Sequence, residues 1–107
     1  MSKKSSRNNE LLNSSKAKTS PKIYALLVDL VNEDREDLAE IVLKIDFLLE
    51  YASTCIKQRD NEEAREGLEK AKTRIDMIKK EGANTEYLEY LYQGIAKKAK
   101  IWRVLLT

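Results

Sequence analysis

Apolar residues recur at three-and-four spacing in four stretches of this chain, the period of helices with one buried face. In the longest, Leu38 to Ile56, residues Leu38, Ile41, Val42, Ile45, Leu48, Leu49, Ala52 and Ile56 fall on one wide face. A second line, Leu43, Phe47 and Tyr51, repeats every four residues on roughly the opposite side, among Glu40, Lys44, Glu50 and Thr54. One layer of neighbours cannot cover both. The stretch predicts a central helix that touches either two layers of its own fold or one layer and a partner.

Ser20 followed by Pro21 predicts a helix start, because serine caps free amides and proline is tolerated at the first helical position. Helix one then runs to about Val31, with Ile23, Leu26, Leu27 and Leu30 inside. Tyr24, Val28 and Val31 broaden that face until little polar surface remains. A short helix this apolar is buried or bound to a partner. The polar run 32–37 predicts a turn, with Asn32 or Asp34 as the next cap. One continuous helix from Pro21 to about Arg59 is the alternative.

Asp60 with Glu63 three residues on has the form of a capping box and opens a helix over about Asn61 to Glu81. Its seam of Ala64, Leu68, Ala71, Ile75 and Ile78 is narrow, as in helices that pack nearly antiparallel. Ala64, Gly67 and Ala71 leave room for a bulky neighbour, for which Phe47 and Tyr51 are candidates. Lys79, Lys80 and Gly82 make its end. Asn84 or Thr85 caps the last helix, which reads to about Leu106. Leu88, Leu91, Tyr92, Ile95, Ala99, Trp102 and Leu106 form its inner face, and Tyr87, Tyr90, Ile101 and Leu105 flank it. Short connections favour adjacent antiparallel helices. The expected fold is all-α: a small antiparallel helical bundle of three long helices plus a shorter N-terminal one, over residues 20–107.

Residues 1–19 break this pattern. They are mostly Ser, Lys, Asn and Thr, with Leu11 and Leu12 as the large apolar residues, and bury too little to offset the entropy of ordering. They predict a disordered basic tail, or a short helix around Glu10 to Asn13 that forms on contact. Charge separates the tail from the rest: residues 1–20 hold five Lys or Arg against one Glu, while 32–60 hold four against eight acidic residues. Net charge is +2 overall, so the body after residue 20 carries −2. Affinity for nucleic acid or an anionic surface therefore belongs to the tail and the last helix. Candidate contacts are Lys3, Lys4, Arg7, Lys16 and Lys18 in the tail. On the last helix they are Lys97, Lys98, Lys100 and Arg103, of which Lys97, Lys100 and Arg103 step at intervals of three, a spacing that can follow phosphates.

The composition removes most catalytic chemistry. There is no histidine, the commonest general base and metal ligand. Cys55 is the only cysteine, which excludes an internal disulfide and fits an intracellular, cytoplasmic protein. It has no histidine to activate it and reads as packing. The isolated Gly67, Gly82 and Gly94 form neither a phosphate loop nor a dinucleotide fingerprint. The acidic cluster at 33–40 lacks the glycine and bidentate glutamate frame of a calcium loop. No cofactor, metal or small-molecule ligand is expected, and no stretch is apolar enough to span a membrane.

The surplus of apolar faces carries the functional expectation. Leu43, Phe47 and Tyr51, with Tyr24 and Val28 on helix one and Ile101 and Leu105 on the last helix, are candidate interface residues. The sequence points to a non-catalytic interaction or accessory subunit that docks onto a larger protein or a second copy of itself, with possible nucleic-acid contact. The alternative is a small DNA- or RNA-binding protein that uses the tail and the last helix.

Overall fold

The computed structural model describes residues 19–106, with side chains through residue 99. The tail positions Lys3, Lys4, Arg7, Lys16 and Lys18 lie outside the described residues, as do the side chains of Lys100, Ile101, Trp102, Arg103, Leu105 and Leu106. Four helices account for nearly all the rest: α1 (Pro21–Asn32), α2 (Glu36–Lys57), α3 (Asn61–Lys80) and α4 (Glu86–Leu106). Among the described residues there is no strand.

The helix ends follow from a few hydrogen bonds. Ser20 Oγ accepts from the Ile23 amide at 3.3 Å, and Pro21 opens α1. At the far end the Arg35 amide donates to Leu30 O and the Asp34 amide to Val31 O, with Asp34 left-handed at φ 66°. That pair of bonds is a Schellman closure, which satisfies the last carbonyls and turns the chain. Helix one is thus separate from the central helix. The residue directly before α2 is Arg35, whose carbonyl accepts from the Leu38 and Ala39 amides and whose guanidinium grips Asp37.

The same closure ends the next two helices. Asp60 and Arg59 amides donate to Cys55 O and Ile56 O at the end of α2, with Arg59 at φ 64°. Ala83 and Gly82 amides donate to Ile78 O and Lys79 O at the end of α3, with Gly82 at φ 91°. Only the third has glycine at the left-handed position. Asp60 Oδ1 accepts from the Glu63 amide at 3.3 Å and caps α3. The expected capping box is only half formed, because the Asp60 amide is already bound to Cys55 O and the Glu63 carboxylate bonds Tyr51 instead. Asn84 Oδ1 caps the Glu86 amide, and the buried Thr85 hydroxyl donates to Glu89 Oε2 at 2.6 Å.

The described chain divides into two compact units that meet inside α2, the first ending at Leu43 and the second starting at Lys44. In the first, Ile23, Leu27, Leu30, Val31, Leu38, Ala39 and Val42 are buried, while Tyr24, Leu26 and Val28 are half-buried. In the second, the wide face of α2 is buried at Ile45, Leu48, Leu49, Ala52, Cys55 and Ile56. On α3 the whole predicted seam is buried, together with Gly67. Ile95 and Ala99 of α4 pack on the cluster of Cys55, Ile56 and Ala64. At the other end of α3, Lys79 Nζ lies 3.1 Å from Glu89 Oε2. That cation and the Thr85 hydroxyl hold the Glu89 carboxyl below its ordinary range.

A left-handed conformation costs an ordinary residue about 1–2 kcal/mol and glycine almost nothing. Arg59→Gly is expected to raise the unfolding free energy by about 0.5–1 kcal/mol, and Gly82→Ala to lower it by about 1 kcal/mol. Urea denaturation of the two variants checks both signs. Equal effects of the same sign contradict the closures described.

Candidate functional site

The second stripe of α2 is where the molecule keeps an apolar surface open. Phe47 is 59% exposed and Tyr51 39%, although both lie on a helix whose other face is sealed. Leu43, one turn earlier and the last residue of the first unit, is half-buried. The spacing of four residues stacks the two rings, with centroids 6.5 Å apart and planes inclined by 18°. Lys44 Nζ stands 5.4 Å from the Phe47 ring centre, within reach of a cation–π attraction.

Packing of α2 on α3 fixes this surface. A Cβ on Gly67 would come within 3.3 Å of Tyr51 Cδ2 and 3.5 Å of both the Ala52 Cβ and the Leu48 carbonyl oxygen. The missing side chain lets the Tyr51 ring lie against the α3 backbone. From there its hydroxyl donates to Glu63 Oε2, on the first turn of α3. Phe47, Tyr51, Gly67, Lys70 and Arg74 then line one shallow groove. Lys44, Leu48, Glu63 and Glu66 complete its lining, so charges of both signs surround the two rings. Glu66, on the same groove, is engaged by Lys70 at 3.7 Å.

Two titratable groups on this part of α2 are shifted. The Glu63 carboxylate, and secondarily the Cys55 thiol, pushes the Tyr51 phenol well above the ordinary tyrosine range. Asp46, half-buried beside Phe47 in the chain, is raised by burial and by Glu50 one turn on. Cys55 is buried and free, and among the described residues no group of three or more His, Cys, Asp or Glu is placed to hold a metal ion. Nor is any described helix long and apolar enough to cross a membrane.

No family model, curated protein or solved structure matches the chain.

Tyr24 and Val28 are half-buried on α1. Lys97 and Lys98 are exposed on α4. The structure also exposes residues outside the predicted interface set: Tyr90 at 71% and Met77 at 50%. Tyr90 stacks on Tyr87, with centroids 6.3 Å apart.

The Tyr51 contact has a spectroscopic consequence. Because the folded phenol holds its proton more tightly than the unfolded one, its stabilising contribution is complete below about pH 10 and lost as pH rises through the raised value. In an ultraviolet titration of the folded protein, one of the five tyrosines is expected to ionise after the others. Glu63→Gln should bring it back towards the ordinary value. A late phase that survives Glu63→Gln contradicts the assigned cause.

Proposed function

We propose that this chain is a non-catalytic helical interaction subunit that docks through the Phe47–Tyr51 surface onto a larger protein or a second copy of itself. The observation that carries the reading is the 59% exposure of Phe47, held in place by its stack on Tyr51 while the opposite face of α2 is buried. A large aromatic ring left in water forgoes roughly 1.5–3 kcal/mol of burial, which a partner recovers before association costs. The ring needs little ordering on binding, because Tyr51 is in turn fixed by Glu63 and by the α3 backbone.

The antiparallel bundle expected from the short connections belongs to the same proposal. It is supported for α3 and α4 by the Lys79–Glu89 pair at one end and the packing of Ile95 and Ala99 near Ala64 at the other. In such a framework the groove between α2 and α3 accepts an amphipathic helix, its apolar residues against Phe47 and its acidic ones towards Lys70 and Arg74. An intracellular setting and an auxiliary role for the basic tail complete the reading. The absence of histidine supports a binding role over a catalytic one.

Phe47→Glu tests it. The variant is expected to keep the helical circular dichroism and cooperative unfolding of the parent, since the side chain is already largely in water. Its assembly, read by light scattering for self-association and by affinity capture for a larger partner, should be lost. Global unfolding would show that the ring is core, and unchanged assembly would remove this surface from the interface.

A further inference from the structure

Beyond the α2–α3 groove, α4 carries a second surface with different chemistry, and it stands independently of the docking reading. Glu86, Tyr90, Gly94, Lys97 and Lys98 follow one another at helical spacing along a single exposed strip. Tyr90 is the most exposed large hydrophobic residue of the described chain, and one side of its ring is occupied by Tyr87. Tyr90, Gly94, Lys97 and Lys98 line the same open concavity, with Gln93 at its edge.

Gly94 is the informative residue. Glycine in a helix interior is disfavoured by about 1 kcal/mol relative to alanine. Gly67 has a reason for being glycine, since a Cβ there would press on Tyr51. At Gly94 a Cβ would meet nothing within 4 Å among the described residues. Packing within the described molecule therefore does not require this glycine. Its missing side chain leaves a notch in the helix surface between Tyr90 and Lys98, open to solvent.

The geometry points to a single-stranded nucleic-acid site on this strip: one base stacks on the exposed Tyr90 ring, the strand passes over the Gly94 notch, and the adjoining backbone phosphates meet Lys97 and Lys98. An exposed aromatic ring beside cations is the arrangement that holds single strands, because every base has a stacking face and the backbone is uniformly anionic. Lys97 lies roughly 10 Å along the axis from Tyr90. Charge sets the direction of the strand. Glu86, one turn before Tyr90, repels phosphate, whereas residues 94–107 contain Lys97, Lys98, Lys100 and Arg103 and no acidic residue. Glu89 does not offset these cations, since it is committed to Lys79 and Thr85. A protein partner would suit this strip less well, because two lysines flank the notch and charged residues are depleted from protein interface centres.

The full chain, titrated with a fluorescein-labelled oligothymidylate and followed by anisotropy at two salt concentrations, tests the site. Binding should weaken as salt rises. Tyr90→Ala is expected to lower affinity on the order of 10-fold. Removing both Lys97 and Lys98 to alanine should reduce the salt slope by about 1.4, at about 0.7 per phosphate contact on a single strand. Gly94→Leu fills the notch and should weaken binding severalfold while leaving the melting temperature equal or higher, which a merely structural glycine would not do. The proposal is overturned if the full chain shows no salt-sensitive binding. It is equally overturned if Tyr90→Ala and Gly94→Leu bind like the parent, because the basic tail would then account for the affinity. Duplex DNA bound as tightly as the single strand, with no effect of Tyr90→Ala, would also exclude it.

Discussion

At Gly67 a side chain would crowd the Tyr51 ring at 3.3 Å and touch Ala52 and the Leu48 carbonyl at ordinary contact distance, so α3 comes close to the second half of α2. Close approach of this kind lets weak contacts form between the two helices, and Gly67 is buried there. It also decides what stays outside. With α3 against the Tyr51 ring, the hydroxyl reaches Glu63, and Phe47 one turn back stands on the rim of the contact. The open aromatic surface is a consequence of the tight seam.

The connections between helices add a second constraint. Three successive Schellman closures end α1, α2 and α3, two of them with a non-glycine residue, Asp34 and Arg59, in the left-handed position. At Arg59 the closure occupies the Asp60 amide, which removes the partner that Glu63 would have taken in a capping box. Glu63 is therefore available to Tyr51. A backbone detail at the end of α2 thus helps to set the side-chain geometry of the candidate docking surface, and the two features are expected to respond together to changes in the turn.

The α4 strip follows a different logic. Its features lie along one helix and follow from helical spacing alone, without a second element to shape them. The two surfaces also differ in composition. The α2–α3 groove has an aromatic floor with acidic and basic rims, while the α4 strip has one open ring and cations. They suit different ligands for that reason.

Much of this was legible in the residues. The three-and-four spacing gave each helix, and every position of the Ala64-to-Ile78 seam is buried, whereas on the inner face expected for α4 Leu88 is buried and Leu91, Tyr92, Ile95 and Ala99 are half-buried. Ser20–Pro21 marked a start, and Gly82 marked an end, because those residue types have local conformational preferences that need no tertiary partner. The break between α1 and α2 was only partly legible. Asp34 and Arg59 are unremarkable candidates for a left-handed position, and the energy that holds them there comes from hydrogen bonds to the preceding helix. Nor could spacing alone assign Glu63, since a capping glutamate and a tyrosine acceptor have the same sequence signature. The stripe of Leu43, Phe47 and Tyr51 was visible from the sequence as a second apolar face, but periodicity cannot tell a covered face from an open one. That was decided by tertiary packing, which brings α3 against the Tyr51 ring at Gly67 while Phe47 stays in water.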